Sequence, residues 1–137
     1  MSVVVDASFI AGALVEEAHT GFVLKAFPDL AVEGLAAPAL IIWEVTNIFA
    51  MKQRRGLLTE EEARDALDLF LSLPIDLDAE VESLPGGLAL AQRYGLTAYD
   101  AAYLELAARL GGALATLDKA LARAAQAEGL FVVSPFA

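Results

Sequence analysis

The chain contains no cysteine. Disulfides, zinc–thiolate centres and cysteine nucleophiles are therefore excluded. Histidine is almost as scarce: the single copy, His19, argues against a histidine-rich transition-metal site and against a Ser-His-Asp triad. It lies in the polar stretch Glu16-Glu17-Ala18-His19-Thr20 and reads as an ordinary surface residue. No apolar run reaches the ~18 residues needed to span a bilayer, because Glu44, Glu105 and Arg109 interrupt the most apolar stretches. The opening Met-Ser-Val-Val-Val-Asp lacks the basic flank and long apolar core of a secretion signal. A cytoplasmic protein without a membrane segment is the expectation.

Basic residues are few. Nine Lys and Arg stand against 19 Asp and Glu, for a net charge of −10. A protein that simply coats nucleic acid would be basic, so this balance counts against phosphate coating. Carboxylates clustered around cations, or a basic protein partner, would account for it; so would an acidic surface that merely keeps the chain soluble. Hydrophobic residues make up 58% of the chain, a high share for a small domain, which suggests apolar surface covered in a homodimer or by a partner. The 137 residues suit one domain, 1–137, with a core that needs no staples. No linker, repeat or low-complexity segment is visible.

Strand and helix signals alternate. Val3-Val4-Val5 is a β-branched run that reads as a buried strand. Leu35-Ala36-Ala37 is a weaker strand stopped by Pro38, and Pro38 is placed to open a helix running to about Arg55, before Gly56. Thr59-Glu60-Glu61-Glu62 is a capping box for a helix with Ala63, Ala66, Leu67 and Phe70 on one face. Ile75-Asp76-Leu77 reads as a short strand. A helix from about Ala79 to Arg93 follows, weakened in its middle by Pro85-Gly86-Gly87. Thr97 opens a helix that ends at Gly111-Gly112. Ala113-Leu114-Ala115 reads as a strand, a helix runs from near Asp118 to near Gly129, and Phe131-Val132-Val133 is the last strand. Strands separated by helices predict an α/β fold of three layers, α/β/α, around a central parallel sheet of four to five short strands. Ligands in such folds bind beyond the carboxyl ends of the strands, and Asp6 and Asp118 fall there.

Four acids stand out. Asp6, Asp100 and Asp118 each have a structural explanation at a helix start: Asp is a favoured N-cap, and Thr97-Ala98-Tyr99-Asp100 matches a loose capping pattern. Glu44 lies inside a helix at helical spacing from Leu40, Ile41, Ile48 and Met51, on or beside an apolar stripe. An unpaired buried carboxylate is costly. Either Glu44 marks the stripe's exposed edge, or a cation or basic side chain meets it. Together, the four suit a hard cation such as Mg²⁺ or Mn²⁺, which takes oxygen ligands and retained waters. Such a site activates water and clamps phosphate oxygens, and requires no protein nucleophile.

Four segments carry a family resemblance: Val3-Val4-Val5-Asp6-Ala7-Ser8; Pro38 followed by Glu44-Val45-Thr46-Asn47; Leu96-Thr97-Ala98-Tyr99-Asp100-Ala101-Ala102-Tyr103-Leu104-Glu105-Leu106-Ala107; and Leu114-Ala115-Thr116-Leu117-Asp118-Lys119. In this order and spacing, over essentially the whole chain, the sequence resembles the PIN-domain family and in particular its VapC-like toxin branch. The resemblance implies a metal-dependent endoribonuclease, the toxin of a toxin–antitoxin pair. It implies that Asp6, Glu44 and Asp100 bind Mg²⁺ or Mn²⁺ and that Asp118 completes the cluster directly or through water. Ser8, Thr97 and Thr116 would orient carboxylates or waters, and Asn47 would touch RNA. It further implies a homodimer and a cognate antitoxin that covers the site. Lys52, Arg54 and Arg55 would either bind RNA phosphates or complement the negative end of their helix.

Four rivals remain in view. A haloacid-dehalogenase-like phosphatase also begins with a strand ending in Asp, but needs a second Asp where Ser8 stands. A response-regulator receiver needs a phosphoacceptor Asp where Met51-Lys52-Gln53-Arg54-Arg55 lies. A degenerate PIN fold that binds without cutting would not need all four acids. A flap-nuclease-like DNA substrate would need threading elements for which the chain is short.

Overall fold

The computed structural model describes residues 2–137. Its centre is a sheet whose five strands are β1 (Val3–Val5), β2 (Leu35–Pro38), β3 (Ile75–Asp78), β4 (Ala113–Ala115) and β5 (Phe131–Val133). All neighbours are parallel, in the order β3-β2-β1-β4-β5. The first strand is central: Val4 lies opposite Ala36 on one side and Leu114 on the other. Being covered on both faces, β1 has no polar alternation; its three valines are buried, as a central parallel strand requires.

Seven α-helices cover the sheet: α1 (Ala7–Leu14), α2 (Thr20–Glu33), α3 (Ile41–Arg54), α4 (Glu60–Ser72), α5 (Leu84–Tyr94), α6 (Ala98–Leu110) and α7 (Lys119–Ala127). The chain moves outward from β1 through β2 to β3, then returns to the far side of β1 for β4 and β5. Right-handed crossovers therefore put α1 to α4 on one face and α5 to α7 on the other. The three-layer architecture follows. The reversal of direction beside β1 makes the carboxyl ends of β1 and β4 the switch point, where such sheets bind ligands.

The core on one face is built from Phe9, Ile10, Ile41, Val45 and Phe49, and on the other from Tyr103, Leu104, Leu106 and Leu121. Gly12 permits a close approach there: a Cβ on it would stand 3.0 Å from Leu117 Cδ1. Gly111 ends α6 with φ 63°, a backbone region that glycine enters without penalty.

Several expectations need correction. The sequence marked a helix start at Asp6 but not the extent of α1, and α2 was not legible as a helix. The first is apolar on nearly every side, and the second carries Pro28 in its interior. Pro38 does not open α3. It is the last residue of β2, opposite Asp78, and the helix starts three residues later; proline's missing N–H is tolerable at a strand end. Pro85-Gly86-Gly87 does not interrupt a helix. Pro85 sits in the first turn of α5, preceded by a short 3-10 turn at Val81–Ser83, and proline is favoured there. The buried stripe of α3 is Ile41, Val45 and Phe49, which leaves Glu44 beside it and half-buried. His19 is half-buried too, its ring edge-on to Phe136 at 5.4 Å. Among the described residues, no helix is long and apolar enough to cross a membrane.

Candidate active site

Asp6 leaves β1 at the switch point, and its backbone N–H donates to Ala115 O of β4. Its side chain is 4% exposed. Oδ1 accepts from Phe9 N at 2.9 Å and from the Ser8 hydroxyl at 2.7 Å, while Oδ2 accepts from the Thr116 hydroxyl. Asp6 is therefore a helix cap, as Asp so often is, and also much more than a cap. Burial pushes its carboxyl up to about 6, against the opposing pull of Thr116, Phe9 and Ser8, and the negative charge of Asp100 adds to the rise.

Two hydroxyls join the strand ends. Thr116, fully buried, donates to Asp6 and accepts from Asp118 N at 2.9 Å. Ser8 donates to Asp6 and accepts from Leu117 N at 3.1 Å. The loop after β4, which carries Asp118, is thus registered against Asp6 by two bridging side chains. Asp118 occupies the N-cap of α7, but its side chain makes no capping bond. The capping explanation for this residue does not hold in the structure.

Thr97 caps α6 by accepting from Asp100 N at 3.1 Å. The reciprocal bond from the acid back to the cap, present in the Thr59/Glu62 box, is absent here. Asp100 lines a cavity with the other acids. Its pKa is raised, first by burial, then by the charges of Asp118 and Glu44, with the Thr97 hydroxyl opposing. One turn further along α6, Tyr103 is 1% exposed and donates its hydroxyl to Glu44 Oε1 at 2.6 Å. Burial, followed by this bond to Glu44, holds the phenol well above its ordinary range.

Asp6, Ser8, Glu44, Asn47, Asp100, Tyr103 and Asp118 line one cavity of about 410 Å³. The structure thus brings together the four acids singled out in the sequence, with Ser8 and Asn47 beside them and Thr97 and Thr116 behind. Lys52, Arg54 and Arg55 lie elsewhere. Lys52 lines a different groove, with Glu16, Glu62 and Asp65, and the three begin two turns beyond Glu44, roughly 12–16 Å along the helix axis. Tyr103 lies in the segment around Asp100 but was not among the expected site residues. The signal that could have found it is its i+3 spacing from Asp100 on an apolar helix, since a buried tyrosine hydroxyl needs a partner.

The residues fit a hard divalent cation by chemistry and charge. Every candidate donor is oxygen, and among the described residues no ion pair reaches any of the four acids. Their mutual repulsion is what a cation would relieve. Among the described residues no three carboxylates stand close enough to form a ready ligand cage, so a bound ion would keep waters, as Mg²⁺ ordinarily does.

A parallel α/β sheet with an acid-lined cavity at its switch point defines the class of protein. A PIN-domain family model matches residues 3–127, and the chain belongs to the PIN-domain family, in its VapC-like branch. It is 40% identical over 126 residues to ribonuclease VapC3 of Pyrobaculum aerophilum, covering 89% of this chain and 93% of that protein. The fold resembles PAE2754 of Pyrobaculum aerophilum with a TM-score of 0.71 and 26% identity, over 97% of this chain and 90% of that one. It also resembles VapBC2 of Rickettsia felis, solved bound to a promoter DNA fragment, with a TM-score of 0.70 and 16% identity over 98% of both chains.

Proposed function

We propose that the chain is a Mg²⁺- or Mn²⁺-dependent endoribonuclease, the toxin of a toxin–antitoxin pair. The observation that carries this reading is the convergence of Asp6, Glu44, Asp100 and Asp118 on one cavity where, among the described residues, no ion pair reaches them. The VapC3 relative is named a ribonuclease, a fold neighbour from Mycobacterium tuberculosis, VapC20, is described as a Sarcin-Ricin loop cleaving toxin, and VapBC2 was solved on DNA from its own promoter. By analogy, a cognate antitoxin would bind this chain and cover the cavity. The exposed Val81, Leu84 and Leu88 suit a homodimer contact.

Asp6, Glu44 and Asp100 would bind the ion, with Asp118 completing the cluster directly or through water. A bound divalent ion supplies Lewis acidity and a water of lowered pKa. The chain's part is to hold carboxylates in place. Ser8 and Thr116 fix both oxygens of Asp6, Tyr103 fixes one oxygen of Glu44, and Thr97 orients the helix start that presents Asp100. Asn47, one turn from Glu44 and lining the same cavity, would hydrogen-bond RNA there. Lys52, Arg54 and Arg55 would meet phosphates only of a strand that runs along α3.

The test is incubation of purified, partner-free protein with mixed RNA in Mg²⁺, Mn²⁺ or chelator, beside Asp6→Asn and Asp100→Asn. Cleavage that requires metal and is lost in both variants is expected. Undiminished cleavage by Asp100→Asn would overturn the site, and metal binding without cleavage would favour a binding module.

A further inference from the structure

The chain's only tryptophan, Trp43, is 74% exposed, and Tyr99 is 63% exposed. Each immediately precedes an acid of the cavity: Trp43 precedes Glu44 in the first turn of α3, and Tyr99 precedes Asp100 in the first turn of α6. Consecutive helical residues point about 100° apart, so each ring flanks the cavity that its neighbour lines. With Leu40, Glu44 and Asn47, the two rings line a shallow groove of about 240 Å³. Glu44 and Asn47 also line the acid cavity, so the groove runs directly out of it.

An exposed tryptophan beside an exposed tyrosine is unusual, because both bury large apolar areas when they can. Here they border a site that has little electrostatic hold on a polyanion. The net charge is −10, and the dense basic cluster lies two turns or more down α3. Phosphate contacts supply most non-specific affinity for nucleic acid, and few are available at the cavity mouth. Stacking a base on an aromatic face contributes ~1–3 kcal/mol per base and needs no charge. Only unpaired bases can be splayed onto such a surface.

We propose that Trp43 and Tyr99 form a stacking platform that seats an unpaired RNA base beside the acid cavity and so positions the adjoining phosphate over the carboxylates. This rests on the ribonuclease reading. The platform selects single-stranded segments, and it makes affinity depend weakly on salt.

The test uses the Asp6→Asn protein in Mg²⁺ with a short unstructured RNA oligonucleotide, following tryptophan emission and the anisotropy of a labelled strand. Because Trp43 is the only tryptophan, quenching reports on this one ring. Quenching by single strands and none by the matching duplex is expected. Trp43→Leu and Tyr99→Leu, made in the cleaving protein, should each raise KM roughly 5- to 150-fold with a smaller fall in kcat from the lost positioning, and Trp43→Phe should recover most of the loss. RNA that binds by anisotropy without quenching, or a Trp43→Leu protein with unaltered KM, overturns the platform while leaving the nuclease intact. A Trp43→Leu protein that turns from dimer to monomer with unaltered RNA affinity also overturns it, and makes this face a contact between two copies of the chain. Failure of the unsubstituted protein to bind or cut any RNA overturns both readings.

Discussion

Tyr103 donates its hydroxyl to Oε1 of Glu44 across 2.6 Å, joining two helices at positions 59 residues apart. The bond fixes one carboxylate oxygen and leaves the other for the cavity. Tyr103→Phe keeps the ring and its packing but removes this restraint. The variant should lose about 1–2 kcal/mol of stability and should bind Mn²⁺ roughly tenfold more weakly, in the range seen when a residue supporting a ligand is removed. Calorimetric titration with Mn²⁺ gives the affinity. A stability loss with unchanged Mn²⁺ affinity would make Tyr103 a packing residue only.

Asp6 makes the metal-free protein sensitive to pH. Its folded-state pKa of about 6 lies above the ordinary 3.8, so the folded chain holds this proton more tightly than the unfolded chain does. The resulting stability is fully present below pH 3.8 and is lost as pH rises through about 6; over that window it amounts to about 3 kcal/mol. Asp100 is raised too and acts with the same sign. Asp6→Asn keeps a cap acceptor for Phe9 N and removes the buried charge. Thermal melts without metal should show Asp6→Asn at least as stable as the parent at pH 8, with a flatter profile between pH 4 and 7. A variant much less stable than the parent at pH 8 would show that the charge is compensated by something other than a metal.

Asp118 and Thr59 occupy equivalent positions at helix starts and should respond oppositely. Asp118 makes no capping bond, so Asp118→Ala should change stability by no more than about 0.5 kcal/mol while cleavage falls sharply. Thr59 completes a capping box; Thr59→Ala should cost about 1 kcal/mol and leave cleavage unaltered. Chemical denaturation beside a cleavage assay separates the two. Loss of stability with retained cleavage in Asp118→Ala would return that acid to a structural role.

Thr116 serves two partners with one hydroxyl. Thr116→Val should leave Asp6 Oδ2 and Asp118 N without their partner, at a cost of about 1–3 kcal/mol, and should weaken cleavage by loosening the loop that carries Asp118. Thr116→Ser retains the hydroxyl and should restore most activity. Equal cleavage by the valine and serine variants would show that the bridge does not matter to the site.

Much of this arrangement was legible in the sequence where local chemistry and global fold agree. Val3–Val5 could only be a buried strand, the Thr59 box named its helix, and the acids at strand ends pointed to the switch point. Elements whose local signals conflict with their structure were hidden. The first helix has no polar face to give it a period, the second carries a proline, and Pro38 is tolerated in β2 only because it lies at the strand's end. Within the site, the acids were visible as types in a pattern. The bond from Tyr103 to Glu44 was not, because it depends on how α6 packs against α3 rather than on spacing within either helix. The exposure of Trp43 was hidden for the same reason: the apolar stripe of α3 proved to run through Ile41, Val45 and Phe49, one position away from where its neighbours suggested.

The central claim is that the cavity lined by Asp6, Glu44, Asp100 and Asp118 takes one hard cation, held directly or through its retained waters. The most direct measurement is the loss of the free Mn²⁺ electron paramagnetic resonance signal on titration into the protein at neutral pH, repeated with Glu44→Gln and Asp100→Asn. The account predicts that the parent sequesters Mn²⁺, that each variant does so at least tenfold more weakly, and that Mg²⁺ competes. Equal Mn²⁺ binding by the parent and Asp100→Asn would contradict it.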